Sequence, residues 1–235
     1  MDILEIRLNA LAPYVDMFVL CESPYTHSTK GEGKRLYFAE NKERFKDFPI
    51  VHLIVRDHLD HMHSYYEPYF YQVRYMANAL YGLKPDDLVM VSDFDEIPDM
   101  STYKMGDEGG FRHKEYFFYA NAYTGKSDWG GTTIRKKKNI RSLSHMRRRR
   151  ESAPQVGTGW HFTYCFSPEG IIQKMHYFCH QNENTEETRQ RVAECRKNLT
   201  DPFQRGIYRE PFSVEDPSGP QYLLDNKEKY GHLFL

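Results

Sequence analysis

Apolar positions along this chain follow two rhythms, one of helical spacing and one of short unbroken runs. Residues 3–11 (ILEIRLNAL) set Ile3, Ile6, Leu8 and Leu11 at helical spacing, with the charged side chains to one side. Met17 to Leu20 is a continuous apolar run that ends at Glu22 and Ser23, which predicts a buried strand followed by a polar loop over 23–34. A short helix is predicted over 38–47 and a second strand over 49–55 (PIVHLIV). The clearest helix runs from Pro68 to Tyr81. Pro68 suits its first turn, Phe70, Val73, Ala77 and Leu80 form its apolar face, and Gly82 is placed to end it. Arg74 and Asn78, four apart, share a flanking polar face. Leu88 to Val91 is a third strand, 111–123 is strand-like, and 159–166 and 171–180 read as aromatic-rich strands. A polar helix is expected over 185–199. The alternation predicts an α/β fold with a mixed, mostly parallel central sheet flanked by helices. We find no internal repeat and no linker, so 1–235 is read as one domain with 200–235 as a wrapping tail.

Composition adds little to that frame, but charge adds more. The 235 residues are 40% hydrophobic and 15% aromatic, an ordinary globular balance. The net charge of -1 hides a block between Asp128 and Glu151 that holds nine Lys or Arg and no acid: Arg135, Lys136, Lys137, Lys138, Arg141 and Arg147 to Arg150. Such a block reads as a solvated, mobile loop or as a surface for a polyanion. No aromatic side chain interleaves the arginines, which argues against nucleic acid. The four cysteines show no close pairing, and Cys21 and Cys179 sit in apolar runs, which suits reduced thiols. No run reaches the ~18–20 apolar residues of a membrane span, and Asp2 replaces the basic start of a signal peptide. A soluble, cytoplasmic protein is the expectation.

The strongest chemical signal is LVMVSDFDEIP. In an extended backbone Asp93 and Asp95 face one side and Phe94 faces the core. Two carboxylates beyond the carboxyl end of a strand suit Mg2+ or Mn2+ whose shell phosphate oxygens complete. The same residues would serve a phosphatase of the haloacid dehalogenase type, with the first Asp as nucleophile, but no later acidic GDxxxD-like segment supports it. His58, His61 and His63 have a spacing that could hold zinc, though a solvated loop explains them as well. His161 and His180 border aromatic segments, where an imidazole can ligate a metal or contact phosphate. Trp160, one of two tryptophans, could stack on a sugar.

These segments, taken in order, resemble glycosyltransferase family 17, the bisecting N-acetylglucosaminyltransferases and their relatives. The resemblance is carried by ILEIRLNALAPYVDMFVLCESPYTHS, LYFAENKERFKDF, DDLVMVSDFDEIP, FRHKEYFFYANAY, GWHFTYCF and IIQKMHYFCHQNEN, and covers most of residues 2–185. It implies a GT-A-like fold, a UDP-sugar donor (UDP-GlcNAc in the animal enzymes), a glycan acceptor, Mn2+ or Mg2+, and inversion at the anomeric carbon. Carried onto this chain it gives Asp93 and Asp95 as the metal motif, with His180 as a third ligand. Glu22, Ser23, Arg74, Asn78, Asp93, Trp160 and His161 would then contact the donor. A general base is still needed, and Glu96, Glu183 and Asp128 are the carboxylates available for it. The Arg-rich stretch at 147–150 departs from the family pattern, and the animal enzymes' Golgi placement and glycoprotein acceptor are not carried over.

Overall fold

The computed structural model describes residues 1–28, 33–57, 59 and 61–235. The chain opens with helix α1 (Asp2–Leu11), whose apolar residues point two ways. Ile3 and Ile6 pack with Ile97, Tyr116 and Phe162, whereas Leu4, Leu8 and Leu11 pack with Phe18, Phe111 and Ile134. One helix thereby joins two core clusters, and Arg7 lies on its remaining side.

Strand β1 (Phe18–Glu22) pairs in parallel with β2 (Ile50–Ile54), with Glu22 opposite Ile54. Between them are a one-turn helix α2 (Tyr37–Glu40) and a 3-10 turn at Lys42–Phe45, so the helix expected over 38–47 is two short pieces. Helix α3 (Tyr66–Tyr75) continues as a 3-10 segment, Met76–Leu80, in place of one α-helix from 68 to 81. Its buried side is Tyr69, Val73, Met76 and Leu80, and Ala77 is exposed.

The larger sheet holds β3 (Leu88–Val91), β4 (Glu96–Asp99), β5 (Gly109–Phe117), β6 (Ala122–Tyr123), β7 (Trp129–Lys136), β8 (Gln155–Thr163) and β9 (Ser213–Val214). Its order is β3-β7-β5-β6-β9, with β8 on the other side of β5 and β4 on β8. The sheet is mixed. Among the described residues, however, only β5 and β8 run parallel in it, where a mostly parallel centre was expected. The cause is connection length. A parallel crossover needs about a dozen residues or more, and the links from β5 through β6 to β7 are short turns that reverse the chain.

Two helices occupy stretches that were read otherwise. Residues 143–148 form α4 (Leu143–Arg148), which the Ser142 hydroxyl caps by accepting from the His145 N–H at 3.1 Å, so part of the expected basic loop is ordered. Residues 168–177 form α5 (Pro168–Tyr177) instead of a strand. Ser167 caps it, Pro168 opens it, and Ile171 and Met175, four apart, are its buried side. Helix α6 (Glu186–Asn198) follows, and α7 (Gln221–Asp225) brings Leu223 against Ile3 and Ile6. Among the described residues no helix is long and apolar enough to cross a membrane.

Candidate active site

Strand β3 ends at Val91, and the chain turns before β4 begins at Glu96. The Glu96 N–H donates to the Asp93 carbonyl at 3.2 Å, so Asp93-Phe94-Asp95 is a tight turn and not extended backbone. The turn reverses the expected orientation of Phe94, which is 43% exposed. It also gives the two carboxylates different exposure. Asp93 keeps 42% of its side chain open, while Asp95 is turned inward at 7%.

Below the turn lies a buried ionic network centred on Arg147. This side chain is 2% exposed and comes from the last turn of α4. Its Nη1 and Nη2 donate to the two Glu96 carboxylate oxygens at 2.7 Å each, a bidentate pair. Nη1 also reaches the Gly131 carbonyl at 3.0 Å, Nε reaches the Tyr69 hydroxyl at 2.7 Å, and Nη2 pairs with Asp93. The block read as a solvated loop therefore sends one arginine into the centre of the molecule, where it fixes the acidic turn. Glu96 is wholly buried and also accepts from the Trp129 indole N–H at 3.1 Å and the Asp93 N–H at 3.0 Å. Burial opposes its ionisation, but the Arg147 guanidinium outweighs that and holds the carboxyl well below the usual range. Arg7 adds a second cation, bonding the Glu96 carbonyl and, at 2.6 Å, the Ser92 hydroxyl.

Asp95 faces a different set of groups. Lys174 of α5 approaches it at 3.3 Å and His161 of β8 at 3.9 Å. His161 sits opposite Glu96 in the β4–β8 register, stacks on Trp129 at 4.7 Å between ring centroids, and lies 3.3 Å from Glu115. Burial disfavours its cation, yet the carboxylates of Glu115, Asp95 and Glu96 together raise its pKa above the ordinary 6.5. Its neighbour Trp160 points to the opposite face and packs, half-buried, with the Ile97 cluster. The tryptophan at the acidic turn is Trp129, which sequence reasoning passed over.

Beneath the network, His113 is fully buried with neither ring nitrogen bonded to any described residue. Burial lowers it to about 3, so it is neutral. A Cβ on Gly131 would fall 2.3 Å from its ring, and one on Gly159 would fall 2.4 Å from the Ile97 carbonyl and 2.7 Å from that ring. Both glycines are needed to give this imidazole its slot.

Tyr69 of α3 borders the turn, and Tyr66 of the same helix reaches the segment that follows α5. Tyr69 donates towards Asp93 at 3.4 Å, and the Tyr66 hydroxyl meets Nδ1 of His180 at 2.9 Å. Burial raises the Cys179 thiol to about 11, with the charges of Asp93 and Glu183 adding to the shift. Burial also raises the Glu183 carboxyl, with Arg205 opposing and Asp201 adding. The other sequence candidates have the following surroundings. Glu22 accepts from the Phe38 and Ala39 N–H groups and pairs with His52 at 2.9 Å, and buried Ser23 accepts from the Tyr25 N–H. Arg74 is exposed and lies over the Tyr71 ring, and Asn78 and Asp128 are also exposed. His58 lies outside the described residues, and His61 and His63 are exposed.

Among the described residues no three His, Cys, Asp or Glu side chains form a cluster that could hold a metal ion, so Asp93, Asp95 and His180 are not gathered as a ligand triad. Donors of the right hardness are present in Asp93 and Asp95, and the open edge of Asp93 is where a cation already carried by phosphate oxygens could be met.

Comparison with known proteins identifies the family. The profile of glycosyltransferase family 17 matches residues 1–200. The chain is 25% identical to human beta-1,4-mannosyl-glycoprotein 4-beta-N-acetylglucosaminyltransferase, in an alignment covering 99% of this chain and 52% of that protein. The rat and mouse proteins of the same name are 25% and 24% identical with the same coverage. This chain thus spans about half the length of the curated relatives it matches. No solved structure matches it. With the family profile running through the acidic turn, Arg147 and His161, the chain belongs to glycosyltransferase family 17.

Proposed function

We propose that this chain is an inverting glycosyltransferase of GT-A type that moves a sugar, N-acetylglucosamine first among them, from a UDP-sugar to a glycan hydroxyl. The observation that carries this reading is the half-open Asp93 carboxylate, fixed by buried Arg147 at the end of β3 and approached by the Tyr69 hydroxyl. The names of the family and of its relatives supply the sugar and the acceptor class.

The residues divide the work by environment. Asp93 and Asp95 would hold Mn2+ or Mg2+, which when bound offsets the charge developing on the departing diphosphate. Arg147 keeps the Asp93 carboxylate in one position, because its own guanidinium is locked by Glu96. Lys174 pairs with Asp95 and brings a cation to that carboxylate. Glu96 is enclosed by four hydrogen bonds and acts as a positioning residue. Glu183 is the better base. Partial burial raises its carboxyl above the ordinary carboxylate range, which makes it a stronger base than Glu96, whose carboxyl Arg147 depresses. The acceptor hydroxyl loses its proton to Glu183 as its oxygen bonds to the anomeric carbon. The bond to the diphosphate oxygen breaks on the opposite face, and UDP leaves.

The test is turnover of UDP-GlcNAc with a mannose-containing glycan acceptor, with and without Mn2+. Asp93→Asn is expected to lower kcat by about 10²–10³-fold, the range for loss of one well-placed charge-stabilising group, and EDTA to abolish turnover reversibly. Unchanged turnover in both would overturn the reading.

A further inference from the structure

The basic block has a second face that the acidic turn does not use. His145 and Arg149 are four apart on α4 and share a side of the helix, while Arg147 between them is turned into the core. With Thr133 and Arg135 of β7, and with Asn139 and Arg141 from the connection, they line a cavity of about 360 Å³. No Asp or Glu is among its lining residues. Glu108, outside the lining, holds Arg135 at 3.9 Å and accepts from Asn139 at 2.6 Å. Arg141 and Arg149 are exposed, and among the described residues no carboxylate pairs with either.

One residue that lines this cavity carries a buried polar atom without a partner. Thr133 is 3% exposed, yet its hydroxyl bonds to nothing among the described residues. A buried hydroxyl left unbonded costs about 1–3 kcal/mol, so its presence beside three arginines and an imidazole needs an explanation. A ligand with several anionic oxygens supplies one. It would accept from the arginines by the paired donors that suit phosphate and sulfate, and would take the Thr133 hydroxyl as a further donor.

We propose that the cavity between β7 and α4 is a binding site for a small phosphate- or sulfate-bearing molecule, separate from the acidic turn. Arg141 and Arg149 supply its main attraction, and Arg135, His145 and Thr133 fix the anion's orientation. A cavity of this size accommodates a diphosphate or a sugar carrying one anionic group.

The experiment is calorimetric titration with inorganic pyrophosphate, and in parallel with a sulfated disaccharide, on protein first saturated with UDP and Mn2+, with the heat of each probe titrated into the same UDP and Mn2+ buffer subtracted. Filling the acidic turn in this way leaves the titration to report the second cavity. At least one probe is expected to bind, to weaken tenfold or more in Arg141→Gln/Arg149→Gln, and to weaken several-fold in Thr133→Val. Asp93→Asn is expected to leave this binding unchanged. Affinity is also expected to fall as salt rises. Whichever probe binds more tightly identifies the anion's class. Thr133→Val keeps the volume and removes an unbonded hydroxyl, so its fold is expected to be at least as stable as the parent. Absence of binding by both probes would overturn the proposal, as would binding unaltered in the double variant. If UDP itself fails to bind, the donor-site reading falls, while probe binding that the double variant abolishes still supports the second site.

Discussion

Arg147→Met should be one of the most damaging single changes in this protein. Glu96 is fully buried, and Arg147 supplies two of the four hydrogen bonds to its carboxylate together with its bidentate counter-charge. Methionine fills much of the arginine's volume, so the loss is electrostatic more than steric. Two hydrogen bonds to Glu96 remain, from Trp129 and the Asp93 N–H, but a carboxylate is left in the core without its ion pair. Removing one partner of a buried pair costs about 3–5 kcal/mol. For a chain of this length each kcal/mol shifts the melting temperature by roughly 2–4 °C, so a drop of about 6–20 °C is expected.

The same reasoning fixes the control. Removing the stranded charge as well, in Arg147→Met/Glu96→Gln, should recover a substantial part of the loss, because the penalty lies in the uncompensated charge. Urea unfolding followed by tryptophan fluorescence of the parent, both single variants and the double variant would give the coupling energy, expected at about 1.5 kcal/mol or more. Arg147→Lys should fall between parent and methionine, since an ammonium keeps the charge but not the paired geometry. Strictly additive single and double variants would refute the account, as would a loss below about 1 kcal/mol in Arg147→Met. The pH dependence offers an independent check. Glu96 has its carboxyl depressed below the ordinary 4.5, so its contribution is fully present above about that pH. It should be lost as pH falls through the lower folded value, and Arg147→Met should flatten that acid limb.

Other consequences can be measured separately. His161 has a raised pKa, so the stability it contributes is fully present below its ordinary 6.5 and is lost as pH rises through the folded value; imidazole NMR should show it titrating above 6.5, and a folded value at or below that number would contradict the carboxylate cage. His113, lowered to about 3, should show no protonation in the same spectra between pH 5 and 8 while the protein stays folded. Gly159→Ala sets a methyl 2.4 Å from the Ile97 carbonyl and should destabilise by about 1–3 kcal/mol or more by denaturant unfolding; a neutral result would mean that the β4–β8 pair yields easily. Glu183→Gln should lower kcat with little change in KM for the donor, and a selective rise in donor KM would instead place Glu183 among the donor contacts.

The sequence made the local elements legible where a periodic pattern and its stop signals coincide. Helix α1, strands β1 to β3 and helix α6 lie close to where their spacing places them. Helix α5 carried its own signal in Ser167-Pro168-Glu169 and the Ile171–Met175 spacing, but its aromatic content drew the reading towards a strand. The acidic turn shows a different limit. Alternation in an extended strand predicts an inward Phe94, yet one hydrogen bond from Glu96 back to Asp93 closes a turn and exposes it. Pairing direction was not legible at all, because which strands meet depends on contacts between segments far apart in the chain. Thus Gly109–Phe117 finds Gln155–Thr163 in parallel across a connection that contains β6, β7 and α4.

Arg147 makes the sharpest case for reading charge through structure. Four consecutive arginines are chemically alike in the sequence, and composition can only assign them one role. The fold assigns several. Arg147 is enclosed by Glu96, Asp93, Tyr69 and Gly131, Arg148 lies over the Phe70 ring at 3.6 Å, Arg149 lines the basic cavity, and Arg150 lies over Trp129 at 5.4 Å. Successive residues of a helix turn through about 100°, so adjacent arginines must face different surroundings. Ser142 therefore has a consequence beyond capping. By setting where α4 begins, it sets which arginine meets Glu96, 51 residues away in the chain. A one-residue shift of that start would bring Arg148 towards the buried carboxylate and carry Arg147 away. The start of this six-residue helix thus determines both the shape of the acidic turn and the charge of the cavity behind it.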